Sequence, residues 1–193
     1  MITSNSKIKT NSYKILGVDP GTNLCGYAVL EVEGKNLRVI TLGALRLEKY
    51  KEHTTKLKEI FLQLQEIIET YLPSQLSVES PFYGKNVQSM LKLGRAQGVA
   101  MAAGITMGLE ITEYSPKKIK QSVTGNGNAS KEQVAAMLEG ILKIKVLSGH
   151  LDATDALAAA VTHYNQTSGP LGGKKNYKDW SSYLKANPDK LQK

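Results

Sequence analysis

Four carboxylates in this 193-residue chain stand out by where they fall. Asp19 closes a short apolar run, Ile15 to Val18, and is followed at once by Pro20 and Gly21. Such a run reads as a central strand buried on both faces, with the acid at its carboxyl end. Glu79 belongs to a second short strand, Gln75 to Ser80, where Leu76 and Val78 point one way and Ser77 and Glu79 the other. Asp152 and Asp155 lie three apart in His-Leu-Asp-Ala-Thr-Asp-Ala-Leu-Ala. They therefore share one face in the first turn of a helix, where the dipole favours negative charge.

Taken singly, each acid has a plain structural role. Asp-Pro-Gly makes a turn, Glu79 can face solvent, Asp152 can cap a helix, and Asp155 can sit in its first turn. Those roles do not explain why acids end both central strands. If the sheet sets the two strands side by side, Asp19 and Glu79 converge, and the last helix adds two more. Clustered carboxylates raise one another's pKa unless cations neutralise them. Oxygen donors without a cysteine, and with histidine only at the margin, point to Mg²⁺ or Mn²⁺ rather than zinc. Two such ions about 3.5–4 Å apart activate water and stabilise the leaving oxygen in phosphodiester hydrolysis.

Composition agrees with that chemistry. The 25 Lys and Arg against 17 Asp and Glu leave a net charge of +8, which favours an anionic partner. Basic side chains holding a nucleic-acid backbone around an acidic metal pocket is the combination a nuclease needs. The single cysteine, Cys25, sits in an apolar neighbourhood and reads as a buried small hydrophobe. The polar amino terminus lacks the apolar core of a signal peptide, and no stretch approaches a membrane span, so a soluble cytoplasmic protein is expected.

The elements that must position the acids follow in order. Residues 1–12 read as a flexible arm, 13–166 as one domain and 167–193 as a polar, basic tail with at most a helical turn near Trp180 to Leu184. Strands ending at Asp19 and spanning Leu24 to Glu33 and Leu37 to Leu47, with short links, predict an antiparallel meander. Leu57, Ile60, Phe61, Leu64, Ile67, Ile68 and Tyr71 form one helical stripe that Pro73 stops. Asn86 to Met107 is helical, with Gly94, Gly98 and Ala102 on one face; two helix-weakening glycines there suggest close approach by another backbone, the sheet or a second subunit. After a brief strand, Leu109 to Tyr114, Ser115-Pro116 opens a basic helix with Lys117, Lys118 and Lys120. Ser130-Lys131-Glu132-Gln133 is a capping box, and places Val134, Met137, Leu138, Ile141 and Leu142 on an inner face. The last helix spans about Asp152 to Tyr164.

Five segments in this order resemble one family. They are Val-Asp-Pro-Gly-Thr with Gly-Tyr-Ala close behind, Val-Glu-Ser-Pro-Phe, Leu-Lys-Leu-Gly-Arg-Ala-Gln-Gly-Val-Ala, Ser-Pro-Lys-Lys-Ile-Lys-Gln-Ser-Val-Thr-Gly-Asn-Gly, and Asp-Ala-Thr-Asp-Ala-Leu-Ala-Ala-Ala. Together, over about Lys14 to Asn165, they resemble the bacterial crossover-junction endonucleases of RuvC type, the Holliday-junction resolvases. The resemblance implies an α/β, RNase H-like fold with a mixed five-stranded sheet, three antiparallel strands then parallel additions, flanked by helices. It also implies a homodimer that nicks four-way junction DNA in pairs, using two Mg²⁺ per active site with Mn²⁺ as a substitute, and docking of a branch-migration helicase complex, RuvA and RuvB. Asp19, Glu79, Asp152 and Asp155 match the family's metal-binding acids. His150, two residues before Asp152, is read as loop or packing rather than a ligand. Phe82 matches an aromatic that the family sets against junction bases, though a core aromatic beside a strand end is its plain alternative. Lys120 and Lys131 match basic residues near the DNA backbone, with Lys117 and Lys118 extending the patch, and the Gly94, Gly98 and Ala102 face matches the dimer-contact helix.

Two other classes are weighed. A junction-binding module without cleavage is disfavoured by the four retained acids. The Asp-Pro-Gly-Thr turn also resembles the phosphate loop of actin-like kinases, but that fold needs a second lobe that this length does not hold.

Overall fold

The computed structural model describes residues 12–81, 86–144 and 151–168, and of 151 and 152 only the helical backbone. Phe82 and His150 lie outside the described residues, as do the side chain of Asp152, the arm before Ser12 and the tail after Ser168.

Strand β1 (Ser12–Asp19) has the run Ile15, Leu16 and Val18 with no exposed surface. It pairs antiparallel with β2 (Leu24–Glu33), which turns through Gly34 and Lys35 into antiparallel β3 (Asn36–Arg46). Gly34 takes φ +61°, the left-handed backbone such a tight hairpin demands. Helix α1 (His53–Tyr71) crosses the chain to β4 (Gln75–Glu79), which lies parallel to β1 on its other side. Helix α2 (Val87–Thr106) returns it to β5 (Glu110–Tyr114), parallel to β4, so the sheet order is β3-β2-β1-β4-β5. The mixed five-stranded sheet expected from the sequence is the one observed.

Side-chain alternation divides the core into two layers. Leu16, Val18, Leu76 and Val78 pack with Ile60, Leu64 and Ile68 of α1 and with Ala96, Ala100 and Ala103 of α2. On the opposite face lies α5 (Leu151–Thr167), itself covered by α3 (Pro116–Thr124) and α4 (Lys131–Leu142). Ser115 caps α3 by accepting the Lys118 amide, and both bonds of the Ser130–Gln133 capping box are formed at α4.

Two expectations change. Val134, Leu138 and Leu142 of α4 are buried, but Met137 and Ile141 are exposed; the inner stripe is narrower than the periodicity suggested because α5 meets only one ridge. The glycine face of α2 does not meet the sheet: among the described residues nothing approaches within 4 Å of a side-chain position at Gly94 or Gly98, and the sheet contacts are made by Ala96, Ala100, Ala103 and Gly104.

Strand β1 and helix α5 meet backbone to backbone. A Cβ placed on Gly17 would stand 2.0 Å from the carbonyl oxygen of Ala156, and Ser77 of β4 donates its hydroxyl to the carbonyl of Ala159 at 2.8 Å. A backbone can lie this close only over a residue without a side chain. Gly17→Ala is expected to cost about 1–3 kcal/mol through overpacking, lowering Tm by roughly 2–12 °C in a thermal melt.

Candidate active site

The site is assembled by register. Val18 of β1 lies beside Val78 of β4 in a parallel pair, so the next residue in each strand, Asp19 and Glu79, emerges from the sheet at the same carboxyl edge. Val18 and Val78 face the α1–α2 layer, so alternation turns the two acids to the α5 face. Helix α5 runs back along β1: its Ala156 lies over Gly17, while Tyr13 at the strand's start donates to Ser168 Oγ at 2.9 Å beyond its end. Its first turns, carrying Asp152 and Asp155, therefore stand over the edge where Asp19 and Glu79 emerge.

Glu79 records the convergence. Its carboxyl is pushed up to about 8, first by burial and then by the charges of Asp19 and Asp155, against the opposing pull of Lys131 and Lys120. Three acids expected from the sequence thus act on one another, and two of the expected lysines act on them. Lys131, at the first position of α4, donates to the Asp155 carboxylate. Lys117 lies with its stem against Gly127, and Lys118 is exposed on α3. Cys25 is fully buried beside the site and its thiol is pushed up to about 12, first by burial, so it is an inert core residue as expected.

Among the described residues, no three His, Cys, Asp or Glu side chains are arranged to hold a metal ion. The donor set nonetheless suits a hard divalent cation. It is all oxygen, and burial first, then the charges of Asp19 and Asp155, favour a proton on Glu79.

Sequence reasoning missed the two residues that bring α5 into place, Gly17 and Ser77. An isolated glycine inside a strand pattern and a lone hydroxyl on its acid-bearing face were the available signals.

A family model described as Crossover junction endodeoxyribonuclease RuvC matches residues 15–163. The Crossover junction endodeoxyribonuclease RuvC of Christiangramia forsetii is 52% identical over 191 residues, 98% of each chain. That of Porphyromonas gingivalis is 53% identical over 182 residues, 92% of this chain and 96% of its own. Among solved structures, T. thermophilus RuvC in complex with a Holliday junction substrate matches with a TM-score of 0.72 at 29% identity, over 78% of this chain and 92% of that one. The yeast mitochondrial Holliday junction resolvase Ydc2 shares the fold, with a TM-score of 0.60 at 14% identity over 78% and 77%. The fold is RNase H-like.

Because the folded-state pKa of Glu79 lies above its ordinary value of 4.5, the native state keeps a proton that the unfolded chain releases. This group's contribution to stability therefore falls as pH rises from about 4.5 to about 8, by at most about 1.4 kcal/mol per pH unit. In metal-free buffer Glu79→Gln should melt above the parent protein at pH 9, and the gain should shrink towards pH 5; a constant difference across that range would contradict the assignment.

Proposed function

The chain belongs to the RuvC family of crossover junction endodeoxyribonucleases, Holliday junction resolvases that depend on divalent metal, and on that premise we propose which of its residues do the work. Asp19 and Glu79 form the centre of the metal pocket, with Asp155 and Asp152 completing it, and the metal is Mg²⁺, two ions per site, with Mn²⁺ able to substitute. The parallel register of β1 and β4, which sets Asp19 beside Glu79 under α5, is the observation that carries this reading.

Bound there, divalent ions supply Lewis-acid activation of the phosphate and of the attacking water. The protein's own part is to hold charge ready. Glu79 carries a proton near neutral pH and gives it up when positive charge enters the pocket. Lys131 balances Asp155 beforehand and is released to meet a DNA phosphate, with Lys120 beside it. Hydrolysis leaves a 5′-phosphate and a 3′-hydroxyl that can be religated. Phe82, three residues after Glu79, is assigned to stacking on an unpaired junction base.

Two such sites are proposed to act as a homodimer through α2. Val87, Leu91 and Ile105 are 65%, 57% and 60% exposed, and with Gly94, Gly98 and Ala102 they form a stripe at three- and four-residue steps. Glycines that meet nothing among the described residues let a second helix approach closely. A twofold dimer then matches the near-twofold symmetry of a four-way junction, and both strands are cut before release. Docking of a RuvA–RuvB branch-migration helicase complex belongs to the same reading.

Asp19→Asn should reduce cleavage of a labelled synthetic four-way junction more than about 100-fold, above the loss typical of residues one step removed from a metal. Junction affinity in a gel shift should stay within a few-fold; a variant that still cuts would refute the metal assignment. Gly98→Arg should shift the protein from dimer to monomer in sedimentation while leaving Tm nearly unchanged. A variant that stays dimeric would remove α2 from the interface.

A further inference from the structure

Away from the acids, one cavity has three lysines in its wall. It encloses about 330 Å³ between the β1–β2 turn, the start of α1 and the first turns of α2, with Thr22, Asn23, Lys51, His53, Lys56 and Lys92 in its wall. Among the described residues no carboxylate lines it. Among the described residues the ion pairs are Arg38–Glu31 and Lys131–Asp155, so none of these lysines is neutralised by one. Lys56 is held at the wall by donating to Asn23 Oδ1 at 2.8 Å.

Three further features mark the pocket as positive and short of an acceptor. His53 Nε2 is buried without a hydrogen-bond partner among the described residues. The same imidazole is driven towards its neutral form, first by burial and then by Arg95, Lys92 and Lys56. Glu52, which precedes α1, provides no side-chain cap, and the first turn holds no acid, so the amides of that turn keep room for an acceptor. A concave, cationic pocket with hydroxyl and amide groups at its rim suits a phosphate.

Its position says which phosphate. Thr22 follows Asp19 by three residues, a span of at most about 11 Å. Along one DNA strand, at about 3.4 Å of axial rise per nucleotide, that is at most about three nucleotides. The lining elements α1 and α2 pack on the sheet face opposite α3 and α4, which carry Lys120 and Lys131. We infer that this pocket is a second phosphate subsite, which holds one backbone phosphate of the junction within about three nucleotides of the scissile bond, on the side away from Lys120 and Lys131. The assignment rests on the junction-cleaving reading above.

The test is a salt titration of junction binding in EDTA, so that no cleavage enters. Lys56→Ala/Lys92→Ala is compared with the parent and with Lys35→Ala/Lys143→Ala, which removes the same charge far from the pocket. The pocket variant, with an unchanged Tm, should bind about 5–10-fold more weakly at 0.1 M salt and lose about 0.9 from the slope of log K against log salt. The control should keep the parent slope. In NMR spectra the His53 ring signals should shift when inorganic phosphate is added to the parent but not to the pocket variant. An unchanged slope, an equal loss in the control, or a silent His53 overturns the subsite. Failure of the parent itself to bind the junction would instead overturn the function on which it rests.

Discussion

The contact between the α5 backbone and the middle of β1 is the constraint on which the site depends. Gly17 leaves no side chain between strand and helix, and Ala156 and Ala160 pack against the gap. The Ser77 hydroxyl ties the next strand to the Ala159 carbonyl. Burying a helix between a sheet and two further helices normally favours large apolar side chains. Here Ala153, Ala156, Ala158, Ala159 and Ala160 are all buried instead, sacrificing apolar area for proximity. Small side chains set a short distance between layers, and that distance brings Asp155 within range of acids that belong to the sheet. Volume added at this seam would move carboxylates as well as weaken packing.

Proximity of this kind is unfavourable until something positive arrives. Glu79 resolves the conflict by taking a proton, and Asp155 by taking Lys131. Both arrangements are reversible at little cost, since a proton leaves and a surface lysine swings. A site stabilised instead by a permanently buried arginine pair would resist displacement by metal. The basic excess of the chain thus has two uses: it holds the acids in check when no ion is bound, and it draws in the polyanion whose phosphate requires that ion.

Local signals were well written in the sequence. The Asp19 and Glu79 strand ends, the α1 stripe, the Ser115–Pro116 start and the Ser130 capping box each depend on a few neighbouring residues, and each is found where expected. The pairing of β1 with β4 was not legible, because it joins residues some sixty positions apart and no periodicity encodes it. Periodicity also misled at Met137 and Ile141, which repeat correctly but face outward, since spacing defines a stripe and not its width. The α2 glycines gave two options, sheet or second subunit. Geometry removed the first because the alanine ridge reaches the sheet before they do.

The same limitation hid the lysine pocket. Lys51 and Lys56 flank the start of a helix and Lys92 belongs to another, so in the chain each is an ordinary solvated charge. They become a site because α1 and α2 pack against the same sheet face and end beside the turn that follows Asp19. The two sides of the sheet then carry cations of different character. Lys131 is engaged by an acid and must be displaced, whereas Lys51, Lys56 and Lys92 have no ion pair among the described residues. A strand crossing the edge from one side to the other would meet the unpaired charges at no exchange cost. Anchoring can therefore precede the loss of the Lys131–Asp155 pair, and that order keeps the acids neutralised until a phosphate is in place.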